Sequence, residues 1–504
     1  MTSRKKKTLL IVLVLLVIII GFGGWFSWYK FFREEPEQQF ASEEERFKYG
    51  SIGAENDRGI PYWIWVVLPR IFPDKMPGPG GYASFGLVWE EGKEMPVGFT
   101  KRVIGFPRTA NNCAICHTGT WRSKPTEVPN VVAAAPSHTT DIQGLLRFLT
   151  NCAKDPRFNA DTILAEIQQS THLSFVDRQI YRYLIIPFTK KALVQQESEL
   201  AWMNRKTDAD GRPWPQWGKG RDDPMNLTKY FMTQMKVDDT TGQADFPSVW
   251  NLKVRKGDGL FLNWSCDTPA VRSVLIDSGL GLGARPNDWF LHRMEELDNF
   301  LSEWRAPAYP FSIDETLAAK GAPIYQQRCA GCHTPGAPRT SHPIPIDEIK
   351  TDRERMDTWK QAAADEANRV VKGLGINRPN MVKQEAYQSP PLDGIWMRAP
   401  YLHNGSVPTL RELLEPEDKR NKVFYRGFDG YNWEDVGFIT SNAEAEHFKW
   451  REQPTEGKDP LFKIERLGWK HDVAERGNGN KGHAYGTDLS ADDKRALIEY
   501  LKKL

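Results

Sequence analysis

The apolar and polar positions are most sharply segregated at the start of the chain. Arg4, Lys5, Lys6 and Lys7 precede an uncharged apolar run from Leu9 to Phe26, and Trp25, Trp28 and Tyr29 then lead to Lys30 and Arg33. A run of 18 such residues is long enough to cross a bilayer, and the aromatic side chains suit its interface. It is longer than the apolar core of a signal peptide and no Ala-x-Ala site follows it, which predicts an uncleaved single-pass anchor. With the basic cluster held on the cytoplasmic side, residues from about 34 onward lie outside the membrane.

Beyond the anchor, apolar residues recur at helical spacing in shorter stretches. Between Asp288 and Arg305, Met294, Leu297, Leu301 and Trp304 share a face, and Pro307 and Pro310 then end the pattern. Ser312 is the expected N-cap of a following helix through DETLAAKG. At the end of the chain Ser490 and Asp493 stand at capping-box offset, and Leu497, Ile498, Leu501 and Leu504 line one side, predicting a helix that closes against the one after Ser312. Loops rich in Gly, Pro and Trp intervene, such as RPWPQWGKGRDDPMN at 212–226, while the charged stretch at 351–372 reads as solvated helix surface. The boundaries that follow are 1–33 for basic tail and anchor, 34–306 for a first segment and 311–504 for a second.

Each segment holds one copy of Cys-x-x-Cys-His: Cys113-Ala-Ile-Cys116-His117 and Cys329-Ala-Gly-Cys332-His333. The pattern supplies two thiols to add across the vinyl groups of a haem and an adjacent imidazole to bind its iron, so two covalently bound haem c groups are expected, with His117 and His333 as proximal ligands. The competing reading is zinc, but no second cysteine pair completes a tetrahedral site. A helix, the haem motif, long loops and a closing helix resemble the cytochrome c fold used twice. The expected class is mainly α, with two tandem cytochrome c-like domains carrying large loop insertions behind one transmembrane helix.

Composition adds limits. In 504 residues, 40% hydrophobic and 12% aromatic side chains are enough for real cores, and 67 basic against 65 acidic groups leave +2, which offers nothing to nucleic acid. Covalent haem c belongs to the exported, oxidising side of a membrane, so the expected location is the inner membrane of a bacterium with both haem domains in the periplasm. There Cys152 and Cys266 either pair, closing a loop of roughly 115 residues for about 4 to 5 kcal/mol, or remain separate buried thiols.

The segment Gly394-Ile-Trp-Met-Arg-Ala-Pro-Tyr-Leu-His-Asn-Gly-Ser-Val-Pro-Thr-Leu-Arg-Glu-Leu-Leu414 resembles the Ala-Pro-Tyr-x-His-(Asn/Asp)-Gly-Ser-x-x-Thr-Leu stretch of dihaem cytochrome c peroxidase-type proteins. Together with Gly482-His483-Ala-Tyr-Gly-Thr-Asp-Leu489 it is closer to the branch containing the dihaem rubber oxygenases. Where that branch has Trp-Asp-Gly-Asn, this chain has Trp264-Ser265-Cys266-Asp267. The resemblance implies a division of labour: one six-coordinate haem moves electrons while the other keeps a position open for a small oxidant. It assigns His483 as sixth ligand of the second haem, with His403, Met397 and Met381 as rivals and an exposed loop histidine as the plain alternative. For the first haem, His138, His172, Met203, Met225, Met232 and Met235 are candidates without a motif. Trp250, Trp264 and His403 are possible pocket residues, with packing as the default role of the tryptophans.

These features suit a membrane-anchored redox enzyme that reduces peroxide or activates dioxygen at the first haem, exchanging electrons with a partner protein or quinone-linked membrane complex through the second. A dihaem electron carrier with both irons six-coordinate is the alternative, and a haem-based sensor a third. Peroxidase and oxygenase chemistry are not separated by the residues alone.

Overall fold

The computed structural model describes residues 3–124, 127–257, 259–441 and 468–504. Helix α1 (Ser3–Phe31) carries the N-terminal apolar run, and its stretch Leu10–Phe31 is long and apolar enough to cross a membrane, with contacts to the rest of the described residues at its C-terminal end. The helix continues past Phe26 through the aromatic residues, so the apolar surface is longer than the run of aliphatic residues alone.

The end of α1 is tied to an antiparallel sheet in the order β1 (Ile60–Pro61), β3 (Phe106–Asn111), β2 (Phe99–Ile104). The Gly105 N–H donates to Arg33 O at 2.8 Å, and Glu35 N–H to Val103 O at 3.0 Å. Gly105 turns the β2–β3 hairpin at φ +72°, and a Cβ there would stand 2.3 Å from Lys30 O, so this close approach requires glycine. Strand β3 runs straight into the first Cys-x-x-Cys-His motif. The Asn112 side chain accepts from Ala114 N–H at 2.9 Å and donates to Gly50 O at 2.9 Å, which fixes the turn that presents Cys113 and Cys116.

The structure is 43% helical, and the other described residues form loops and short antiparallel ribbons. Helix α2 (Ile142–Lys154) packs on α4 (Ile186–Glu199). The latter continues from α3 (Phe175–Ile180) through a π-helical turn at Tyr181–Ile185. The expected amphipathic helix is α5 (Asp288–Glu303), with Met294, Leu297 and Leu301 buried. Helix α6 (Glu315–Arg328) leads into the second motif, and α7 (Ala491–Leu501) crosses it so closely that a Cβ on Gly321 would meet Ala496 O at 2.0 Å. Ser490 caps α7 as expected, accepting from Asp493 N–H at 3.1 Å.

Two expectations need correction, and one open alternative is decided. The N-cap of α6 is Asp314 and not Ser312: the Asp314 carboxylate accepts from Leu317 N–H at 2.9 Å, while its own N–H donates to Glu499 on α7. Docking of the closing helix therefore selects the register between two good capping residues. The 351–372 stretch is not purely solvated, since Arg355, Met356, Ala363, Ala364, Ala367 and Val371 are buried. Cys152 and Cys266 are separate buried thiols. Cys152 sits in α2 within the apolar cluster around Phe148, whereas Cys266 occupies a turn at φ +53° beside Arg255 and Arg355.

The segments on either side of residues 306–311 share a core. One continuous apolar cluster contains Phe47, Trp250 and Leu301 as well as Trp359, Trp396 and Leu501. Between them Tyr309 and Phe311 interlock with Trp121, Trp396 and Tyr431. Arg122, just after the first motif, makes a fully buried ion pair with Asp429 at 2.6 Å. Losing one partner of such a pair costs about 3 to 5 kcal/mol because the other charge is left buried.

Candidate functional site

Each Cys-x-x-Cys-His motif opens onto its own cavity. Cys113, Cys116 and His117 line the first, and Cys329, Cys332 and His333 line the second. The two histidines are held alike by main-chain carbonyls from distant loops. His117 Nδ1–H donates to Pro247 O at 2.8 Å and His333 Nδ1–H to Pro390 O at 2.7 Å. A carbonyl only accepts, so the proton is fixed on Nδ1 and the Nε2 lone pair of each ring is left for a metal. Burial lowers His117 to about 4 and lowers His333 as well, which keeps both rings neutral at physiological pH. Burial also pushes Cys113 and Cys329 up to about 11. Among the described residues no three His, Cys, Asp or Glu side chains form a group that could hold a metal ion, which does not suit a tetrahedral zinc site.

In the second cavity His483 faces His333, with ring centroids 6.2 Å apart. An iron bound to one nitrogen of each ring at about 2 Å sets the centroids about 6 Å apart, so the pair fits axial ligation of one haem. Burial, then the nearby His333 and Arg420, lower His483 to about 3, and its Nδ1 has no hydrogen-bond partner among the described residues. The loop that delivers it is tightly wound. Gly482 and His483 both have positive φ, +75° and +49°, and a Cβ on Gly482 would lie 2.4 Å from Ile349 O. Arg420 staples this loop, donating to Asn480 O at 2.7 Å and Gly482 O at 2.9 Å.

The rivals for the second site are placed elsewhere. Met397 is buried against the Gly119 strand, and Met381 lines the first cavity. His403 lines the second cavity, stacked on Tyr387 with centroids 4.1 Å apart and with a buried Nε2 that lacks a hydrogen-bond partner among the described residues. It is a pocket residue of the second site and not of the first. Trp250 lines neither cavity: it packs under Gly394 and donates to Asp393 O at 3.1 Å. Trp264 lines both cavities and donates to Asp245 O at 3.1 Å, so with Asp245, Phe246 and Pro247 it forms the wall between them.

The first cavity measures about 1740 Å³, well above the roughly 300 to 1,000 Å³ of ordinary ligand pockets. Among the described residues His117 is the only histidine that lines it. Of the methionine candidates Met225 and Met235 line it, whereas His138, His172, Met203 and Met232 do not. It also holds polar groups without a sequence signature. Asp222, beside Cys116, is pushed up to about 7, by burial first and then by the neighbouring Asp223, against the pull of Arg355. Arg355 is buried with Nε and Nη1 lacking hydrogen-bond partners among the described residues, an arrangement that suits an anionic group of a bound cofactor.

Two attachment motifs with carbonyl-oriented histidines beside cavities define the class: a c-type cytochrome, a haem-binding redox protein with covalently bound haem c. More particularly, residues 386–425 match the model of the RoxA-like, cytochrome c-like family, an oxidoreductase-type group of cytochromes. That stretch contains Pro390, Tyr387 and His403. Over 83% of the chain it is 28% identical to uncharacterized protein y4iJ of Sinorhizobium fredii, covering 84% of that protein. Uncharacterized protein y4iM of the same organism is 29% identical over 40% of the chain and 50% of its own length.

Proposed function

We propose a membrane-anchored periplasmic dihaem enzyme in which the first haem reacts with a small oxidant, peroxide or dioxygen, and the second transfers electrons. The supporting observation is the asymmetry of the two sites: His483 stands opposite His333, while among the described residues no second histidine lines the cavity of His117. Bound haem c would supply a redox-active iron at each site and, where one axial position is open, a place for the oxidant. His117 and His333 hold the proximal positions, and His483 closes the second. Asp222 is placed to hold or donate a proton at a carboxyl oxygen in the first cavity, and Trp264 separates the two sites as a candidate electron relay. The anchor reading is supported by the ties between the end of α1 and the β2–β3 hairpin.

The test is low-temperature electron paramagnetic resonance of the oxidised and half-reduced protein, with and without cyanide. One low-spin signal that cyanide does not move and one high-spin signal that becomes low-spin are expected. Two low-spin signals unmoved by cyanide in both redox states would turn the reading into an electron carrier.

Asp222 gives a separate pH test. Its carboxyl is protonated below about 7 and charged above, so a proton-donating role makes peroxide consumption fall as pH rises through that value. Asp222→Asn should abolish this limb and slow the reaction by about a hundredfold. A variant with an unchanged pH profile removes Asp222 from the chemistry.

A further inference from the structure

The first cavity reaches the end of α1. Its lining includes Ser27, Phe31 and Phe32 from the anchor together with Leu184, Phe188 and Ala192 from the α3–α4 arm. The arm carries an apolar row at intervals of four, Val176, Ile180, Leu184, Phe188 and Ala192, of which all but the half-buried Ile180 are exposed. In a regular α-helix such a row drifts around the axis, and the wide π-helical turn at Tyr181–Ile185 offsets the drift, so the row stays on one side. In that row Phe188 is 66% exposed, Val176 44% and Leu184 41%, and the neighbouring Phe175 and Tyr183 widen the exposed apolar surface. Patches of this kind mark interaction surfaces.

The occupant is indicated by continuity with the anchor. Lys30, at the end of the membrane helix, pairs with Asp177 on α3 at 2.5 Å, and Arg108 Nη2 donates to Phe31 O at 3.2 Å. The stripe therefore begins where the apolar surface of α1 and its aromatic residues end. Arg178, Arg182, Lys190 and Lys191 accompany the stripe against the single acid Asp177 over residues 175–191, a balance suited to phospholipid headgroups.

We infer that the α3–α4 arm lies in the outer surface of the membrane and that the first cavity opens between it and the end of α1 into the bilayer, admitting an uncharged, long-chain lipophile from the lipid phase. This inference rests on the anchor reading proposed above. The anchor and the arm contribute Phe31, Phe32, Leu184 and Phe188 to the lining beside Ser27, Thr189 and Gln196, and the same cavity holds Cys116, His117, Asp222 and Arg355. A molecule with an apolar chain and a small polar head is matched by that mixture of apolar and polar surface.

The test uses the full-length, haem-loaded protein in phosphatidylethanolamine–phosphatidylglycerol vesicles. Photoactivatable benzoyl-phenylalanine is placed at position 188, at position 25 in the membrane helix and at the exposed position 433. On illumination, positions 25 and 188 are expected to cross-link to phospholipid and position 433 not. Lipid adducts at 25 without any at 188 overturn the docking of the arm and leave the anchor standing; adducts at neither overturn both. Access is read with a hexadecanol bearing a chain-end diazirine dissolved in the vesicles, against a diazirine-bearing butanol in the water. The long probe should label peptides containing Met235 or Phe106, and Ala192→Trp should reduce that label by about tenfold while leaving the position 188 adduct intact. Equal labelling by the water-borne probe would overturn the lipid-phase entrance.

Discussion

Replacing Cys329 and Cys332 together by alanine should leave a protein with one covalent haem where the unaltered chain carries two, and the Cys113→Ala, Cys116→Ala pair should do the same from the other side. Each motif faces a separate cavity, so neither can borrow the thiols of the other. Haem per polypeptide, from the pyridine haemochrome, and the intact mass of the denatured chain read the result directly. Two haems retained in either double variant would remove that motif from the site. The two losses should differ in their structural cost. Leu301 and Met381 come from different parts of the shared core yet both line the first cavity. Leaving that space empty strips contacts from both segments at once, and core cavities are costly in proportion to their volume. The variant without the first haem should therefore be the less stable of the two, in one denaturation transition that includes the second haem.

What the sequence made legible was local. The cysteines and histidine of each motif lie within five residues of one another, so spacing alone singles out Cys113, Cys116 and His117, or Cys329, Cys332 and His333. The apolar N-terminal helix and the α7 cap are equally local, and His483 was reached through the resemblance of its loop. The groups that complete the sites come from far along the chain and mostly lack a side-chain signature. Pro247 and Pro390 act through their carbonyl oxygens, which any residue type possesses. Arg420 lies 63 residues from His483, and nothing near it in sequence marks a loop staple. Periodicity showed that α5 has an apolar face but not what covers it, so the expected boundary at 306–311 gave no hint that Tyr309 and Phe311 knit the two segments into one core. The choice of Asp314 over Ser312 has the same origin: propensity permits both, and a contact with Glu499 decides.

His483→Ala should convert the low-spin signal of the second haem wholly to high-spin and make that site open to cyanide. The expectation follows from the 6.2 Å separation of the His333 and His483 rings and from the depression of His483 to about 3. At any pH above that value the ring is neutral and its lone pair is available, so the low-spin signal should persist well below pH 6, where an ordinary exposed histidine would already be protonated. Arg420→Ala supplies the graded control. It leaves the imidazole in place but releases the carbonyls of Asn480 and Gly482, and His483 has positive-φ strain to relieve. A mixture of low- and high-spin forms is therefore expected, with the low-spin fraction rising on cooling. His483→Met should restore six-coordination and raise the midpoint potential, as a thioether favours the reduced iron. If the spectrum of His483→Ala were unaltered, the ring opposite His333 would be a packing residue, and the asymmetry that supports separate roles for the two sites would disappear with it.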